Sequence, residues 1–206
     1  MLKIWGRTNS INVQKALWCL DELGLPYERT DAGMAFGAVN EPWYRAMNPN
    51  GRVPVIDDEG FVLWESNVIV RYLAAKHAAG TLYPEKITER MNAERWMEWC
   101  SSTLNAPITA VFWQLIRTPA DKRDAKAIAE AVKTCGELFG MLDAHLAGRQ
   151  FITGERFTMG DIPTGCYAYR WMALQVERPV HPNLEAWLER LKLRPAFRKN
   201  VMLPLT

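Results

Sequence analysis

The sequence is poor in the features that mark a specialised class. Its four cysteines, Cys19, Cys100, Cys135 and Cys166, lie far apart with no CxxC pair, so neither a zinc framework nor a disulfide scaffold can be read from them. Each is expected to be buried as a small apolar residue. Three histidines, His77, His145 and His181, stand in no partnered pattern and are read as surface or packing residues; no metal site is indicated. Charge of one sign is missing too. With 25 basic and 23 acidic residues the net charge is +2, spread without long runs, which gives no electrostatic footprint for nucleic acid or a membrane surface. No long apolar span and no basic-plus-apolar leader appear, so a cytoplasmic location and small-molecule or protein partners are expected.

Against this background two short segments carry information. Asn48 to Ile56 reads NPNGRVPVI, and Leu63 to Asn67 reads LWESN. A proline between two valines spoils a sheet ladder, because it lacks the N–H a central strand needs; Pro54 therefore belongs at the first residue of a strand or in a special turn. A cis Val53–Pro54 bond is the natural candidate. It would turn the N–H and C=O of Val53 outward, where an extended ligand can pair with them as an added strand. Ser66 then opens a helix whose free N–H groups suit a carboxylate. The two segments together describe a way to hold a peptide by its backbone.

The rest of the chain divides at Gly80 to Pro84. Before that point, short strands alternate with helices: Leu2–Trp5, a helix carrying Val13, Ala16, Leu17, Leu20 and Leu23, then Tyr27–Thr30. Asp31 to Met47 reads as irregular. Pro54–Asp57 and Phe61–Trp64 form a hairpin, and Ser66–His77 a closing helix. Beyond Pro84 every period is helical. A long helix runs to about Arg117 with a proline kink at Asn105-Ala106-Pro107, and the next helix is expected to start at Thr118-Pro119. Thr158 and Asp161 stand in capping-box relation, with Phe157 and Ile162 as a hydrophobic staple. Further helices follow at 183–192 and 195–201. The pattern predicts an α+β N-terminal thioredoxin-like domain over residues 1–79, followed by an all-α C-terminal domain over residues 85–206. A 206-residue chain with 49% hydrophobic residues has ample material for the core.

The ordered set NPNGRVPV, WESN and FTMGDI, together with the opening Trp5-Gly6-Arg7 through Asn12, closely resembles the cytosolic glutathione S-transferases, and among them theta-like proteobacterial members. The resemblance covers essentially the whole chain. It implies that Val53, after which Pro54 provides the cis edge, pairs with the cysteinyl part of glutathione. Glu65 would meet the γ-glutamyl ammonium, Ser66 its carboxylate, and Arg52 the glycyl carboxylate. It further implies a homodimer that adds glutathione, as co-substrate, to a small electrophile, with no metal or prosthetic group.

Catalysis on this reading needs a thiolate, and the donors available between the first strand and first helix are Arg7, Ser10 and Asn12. No tyrosine stands at the strand end and no cysteine between Met1 and Gln14, which disfavours the tyrosine and cysteine types of the family. Asn12 and Ser10 both remain candidates for the sulfur's partner, and Arg7 for steering an anionic electrophile or lowering the thiol pKa. The electrophile pocket is expected to draw on Ile108, Val111, Phe112, Trp113 and Tyr167. Glutathione-dependent dehalogenation or isomerisation on the same site is the enzymatic alternative; a non-catalytic interaction module of the same fold is the other.

Overall fold

The computed structural model describes all 206 residues. Strand β1 (Leu2–Trp5) leads through α1 (Ile11–Glu22) to β2 (Tyr27–Thr30), followed by α2 (Pro42–Met47), β3 (Val55–Asp58), β4 (Phe61–Trp64) and α3 (Ser66–His77). The sheet order is β2-β1-β3-β4. β1 and β2 are parallel, with Leu2 opposite Tyr27, and the other two pairings are antiparallel, with Ile4 opposite Ile56 and Asp57 opposite Val62. Side chains alternate across a strand, so the consecutive buried residues Val55 and Ile56 serve opposite faces. Ile56 joins the main core under α1 and α3, while Val55 packs with Ala32 and Tyr44 of α2.

Two boundaries in this half differ from the sequence expectation. β3 begins at Val55 rather than Pro54, because the proline has no N–H to give the ladder. The segment expected to be irregular contains α2, opened by Pro42 in its first turn and held by the Tyr44 hydroxyl, which donates to the carbonyl of Arg52 at 2.8 Å.

The remaining chain is helical: α4 (Ile87–Trp99), α5 (Asn105–Phe112), α6 (Ala125–Leu146), α7 (Asp161–Ala173), α8 (Pro182–Lys192) and α9 (Pro195–Asn200). The irregularity expected at Pro107 takes the form of a π-wound turn, Cys100–Leu104, just before α5. Pro107 gives no N–H to the carbonyl four residues earlier and its ring crowds that carbonyl, so the preceding turn widens. A second π-wound turn, Trp113–Arg117, follows α5. The helix expected to start at Thr118 starts instead at Ala125, capped by Asp124, whose Oδ1 accepts from the N–H of Lys126 at 2.9 Å and Ala127 at 3.0 Å. Arg123 keeps the intervening turn closed by donating to the carbonyls of Leu115 at 2.7 Å and Thr118 at 3.1 Å.

α7 is buried along most of its length, and Asp161 fixes its start. Its carboxylate accepts from the N–H of Thr158 at 2.8 Å, the N–H of Ile152 at 2.9 Å, the indole of Trp187 at 2.9 Å and the Thr158 hydroxyl at 3.4 Å. Burial still raises its pKa to about 6, against those bonds. α1 packs on α7 and α9, with Trp18 set between Phe157 and Phe197. Gly165 permits that approach: a Cβ there would lie 2.7 Å from Leu191 and 3.0 Å from Trp18. One hydrophobic core of 41 buried residues therefore runs through both halves.

Candidate functional site

The loop before β3 is built by Asn48, a buried side chain that the sequence reading did not single out. Its Nδ2 donates to the carbonyl of Arg52 at 2.9 Å and its Oδ1 accepts from the N–H of Asn50 at 3.0 Å. Gly51 has φ 58°, and a Cβ on it would sit 2.5 Å from the guanidinium carbon of Arg45, so only glycine turns the chain here. The turn delivers a cis Val53–Pro54 peptide. The N–H and C=O of Val53 take part in no backbone hydrogen bond. They are free to pair with an extended ligand as a further strand would. Arg52 lies alongside with its side chain exposed.

At the end of β4, Glu65 adopts φ 73° and ψ 109°, a conformation that costs a non-glycine residue about 1–3 kcal/mol. Its carboxylate is exposed and unpaired. The carbonyl of Glu65 accepts from the N–H of Ile69 at 2.9 Å, leaving the N–H groups of Ser66, Asn67 and Val68 free at the helix start. That is an anion-binding arrangement. Asn67 ties this helix end to the helical domain, donating to the carbonyl of Met97 at 2.8 Å and to the Ser101 hydroxyl at 2.9 Å.

Across from these two segments lies the loop between β1 and α1. Ser10 occupies the helix N-cap position, but its hydroxyl makes no cap hydrogen bond. Asn12 is held differently. Its Oδ1 accepts from Lys15 Nζ at 3.0 Å and from the Ser66 hydroxyl at 3.3 Å. An ammonium has only hydrogens to offer, which fixes the carboxamide orientation and turns its NH₂ away from Lys15. Lys15, only 2% exposed, makes this one hydrogen bond and stands over the ring of Tyr167, 4.7 Å from the centroid. Burial lowers its pKa, opposed in part by the charge of Glu65. Asn12, Lys15 and Ser66 thus join α1 to the start of α3.

The five residues expected to line an electrophile pocket are not equivalent. Ile108 and Val111 have no exposed surface and belong to the hydrophobic core, which removes them from the candidate lining. Helical periodicity does not distinguish a core-facing from a cleft-facing apolar residue. Tyr167 is 1% exposed, its hydroxyl donates to Asn105 Oδ1 at 2.8 Å, and its ring face is occupied by Lys15. Phe112 at 5% exposure and Trp113 at 49% remain. Phe112 carries Arg170 on one side, with its guanidinium carbon 4.2 Å from the ring centroid, and Arg117 at 5.5 Å. Arg7 completes this group; burial, followed by the charge of Arg117, lowers its pKa. Two cavities, of about 680 and 400 Å³, are bordered by Leu115 of the turn at residues 113–117. Neither touches Asn12, Val53 or Ser66. The four cysteines are all buried and burial pushes their thiols up, Cys100, Cys135 and Cys166 to about 12.

Sequence reasoning missed Lys15, Arg170, Arg117, Asn48 and Asn67. Lys15 and Arg170 did carry a signal, since each is a cation inside an otherwise buried helical run. The two asparagines stand inside the NPNGRVPVI and LWESN segments, and Arg117 carried no signal.

A four-stranded thioredoxin-like sheet domain with a cis-proline edge and a helix N-terminus, followed by an all-helical domain, is the two-domain architecture of the glutathione S-transferases. The N-terminal and C-terminal domain models of glutathione S-transferase match residues 1–75 and 125–190. Glutathione S-transferase GstB of Escherichia coli is 42% identical over 208 residues, covering 100% of both chains, and glutathione S-transferase 3 of Zea mays is 30% identical, covering 97% of this chain and 93% of its own. The crystal structure of the theta class glutathione S-transferase from the citrus canker pathogen Xanthomonas axonopodis pv. citri, with glutathione bound, superposes with a TM-score of 0.96 at 49% identity, covering 100% of this chain and 99% of that one. The chain belongs to the glutathione S-transferase family and is a transferase enzyme. No helix is long and apolar enough to cross a membrane.

Proposed function

We propose that this transferase binds glutathione along Val53 and the start of α3, ionises its thiol against Asn12, and adds the thiolate to a small electrophile. The observation that carries the reading is the locked carboxamide of Asn12, whose oxygen is held by Lys15 and Ser66 so that its NH₂ is left for a sulfur. Residues 1–79 hold the tripeptide and residues 85–206 supply the wall facing the electrophile. The cysteinyl backbone pairs with Val53 beyond the Pro54 edge. The γ-glutamyl ammonium meets Glu65, its carboxylate meets the Ser66 hydroxyl and the free N–H groups behind it, and the exposed Arg52 meets the glycyl carboxylate.

A free thiol near pKa 8.5 is only slightly ionised at neutral pH, and lowering that value by about two units takes roughly 2.7 kcal/mol of preferential anion stabilisation. Charge-assisted hydrogen bonds contribute about 1.5–3 kcal/mol each. One donor from Asn12, with the unpaired Ser10 hydroxyl as a second, is therefore of sufficient size. Glutathione at millimolar concentration is expected to raise the thermal midpoint of the wild-type protein, and absence of a shift sinks the binding reading. Asn12→Ala should lose more turnover than Ser10→Ala; the reverse order makes Ser10 the sulfur's main partner.

The proposal includes a homodimer joined through α3 and α4. Arg71 on α3 pairs with Glu94 and Glu98 on α4, and one turn earlier Val68 is 40% and Met91 46% exposed. Solution mass at micromolar protein tests this; a monomer removes it.

A further inference from the structure

The chain around and after α9 is tied to both ends of α1. At the last turn of α1, Asp21 accepts from Lys199 Nζ at 2.9 Å and Asn200 Nδ2 at 2.6 Å, and Glu22 accepts from Arg194 Nε at 3.0 Å. Residues 201–206 form neither helix nor strand, yet they are held. The N–H of Leu203 donates to the carbonyl of Val201 at 2.8 Å, and Met202 and Leu205 pack against the main core. Leu203, Pro204 and Leu205 border the cavity of about 400 Å³ together with Leu115 and Tyr169. Thr206 then makes two contacts with distant segments. Its Oγ1 accepts from Asn9 Nδ2 at 2.8 Å, and its backbone oxygen accepts from the Arg117 guanidinium.

These contacts fall where the loop between β1 and α1 has few of its own. The N–H of Gly6 anchors the loop's start to the carbonyl of Thr30 at 2.9 Å, and the N–H of Gln14 anchors its end to the carbonyl of Ser10 at 2.9 Å. Between them, Ser10 makes no cap hydrogen bond and the Nε of Arg7 is buried with no partner. The bond from Asn9 to Thr206 is the one side-chain hydrogen bond made by residues 7–10. Asn12 is held independently, by Lys15 and Ser66. The placement of the Ser10 hydroxyl relative to the NH₂ of Asn12 therefore depends on what holds the middle of the loop, and Asn9 is that point. Thr206 also couples the loop to Arg117, in the turn that follows Phe112 and begins with Trp113.

We propose that Asn9 and Thr206 are positioning residues for the transferase reaction. Residues 201–206 brace the loop bearing Arg7 and Ser10 against the turn bearing Arg117, so that the Ser10 hydroxyl reaches the sulfur facing Asn12. The inference rests on the transferase reading and adds to it two residues outside the peptide-holding segments. With the brace released, the loop takes up positions from which Ser10 no longer donates, while Val53 and Ser66 keep their places. The loss then falls on thiol ionisation and turnover rather than on glutathione binding.

The test uses the full-length protein with glutathione and 1-chloro-2,4-dinitrobenzene. Thr206→Val keeps the side-chain shape without the hydroxyl, Thr206→Ser keeps the hydroxyl, and Asn9→Ala removes the donor. Thr206→Val and Asn9→Ala should each lower kcat by about threefold or more, with KM for glutathione within about twofold of wild type. Both should raise the apparent pKa of the bound thiol, whereas Thr206→Ser should keep kcat within about twofold of wild type. The double variant of Asn9→Ala and Thr206→Val should fall no further than the weaker single one, because the two substitutions break one bond. A kcat loss below about threefold in either single variant, an equal loss in Thr206→Ser and Thr206→Val, an unchanged thiol pKa, or a double variant that multiplies the two losses overturns the proposal. Should Asn9→Ala fail to fold, the comparison of Thr206→Val with Thr206→Ser decides alone. If the wild type shows no thermal shift with glutathione and no turnover, the transferase reading has failed, and the proposal falls with it.

Discussion

The two ends of α7 bury charge in opposite ways. At its start, Asp161 accepts from four donors, two of them backbone N–H groups. Toward its end, Arg170 makes no hydrogen bond, and Lys15, packed over Tyr167 of the same helix, has a single acceptor in Asn12. Both ends are expensive in isolation, since moving charge out of water costs several kcal/mol per ion after relaxation. At the first end four hydrogen bonds offset part of that cost, although burial still raises the carboxyl pKa to about 6, and Asp161 serves helix initiation. At the second the compensation is incomplete: Lys15 has one acceptor, the Asn12 Oδ1 that also takes the Ser66 hydroxyl, and Arg170 has none. A satisfied buried charge marks architecture; an unsatisfied one marks the place a ligand completes.

Substitutions at the two ends should therefore separate stability from activity. The largest effect belongs to Asp161. Asp161→Ala leaves four buried donors without an acceptor and is expected to cost about 4 kcal/mol in denaturant unfolding; a loss below about 1 kcal/mol would remove the distinction. The same carboxyl has a pH signature. Its folded pKa is raised from 3.8 to about 6, so the folded state holds this proton more tightly than the unfolded one. That contribution is fully present below the ordinary carboxylate value and is lost as pH rises through 6. The stability of wild type relative to Asp161→Asn should decline between pH 4 and pH 7, by up to about 3 kcal/mol. A gap that widens with pH contradicts the assignment.

At the other end the effects move to turnover. Asn12→Ala removes the donor proposed for the sulfur and is expected to lower kcat/KM by roughly 100-fold, the equivalent of one charge-assisted hydrogen bond. Lys15→Met removes a buried cation that the fold leaves largely uncompensated. Unfolding free energy should stay within about 1 kcal/mol of wild type or rise, while kcat/KM falls by about tenfold through loss of the Asn12 anchor. If Lys15→Met destabilises as much as Asp161→Ala, the two ends are not built differently.

Much of the fold was legible before any coordinates because it rests on local rules. The strand and helix periods, Pro54 at a strand entry and the Thr158 to Asp161 box all express themselves within a few residues. The family resemblance at NPNGRVPV and WESN drew attention to the loop before β3 and the start of α3 on the same grounds. What escaped depends on contacts distant in sequence. The start of α6 moved from Thr118 to Ala125 because Arg123 bonds two carbonyls of the preceding turn. Ile108 and Val111 could not be told from cleft residues, since a helix with apolar residues on more than one side does not say which side meets solvent. The link from Lys15 to Asn12 spans one helical turn and is local; its meaning depends on Ser66 and Tyr167, which only the tertiary fold brings to it.

Ionisation of the glutathione sulfur is the central step proposed for this enzyme, and an ultraviolet titration of the thiolate of bound glutathione tests it directly. Wild type should titrate well below the free thiol, with the apparent pKa raised by about one unit in Lys15→Met and more in Asn12→Ala, one unit being about 1.4 kcal/mol. A bound-thiol pKa that is the same in all three proteins would contradict the assignment of Asn12 and Lys15 to the sulfur.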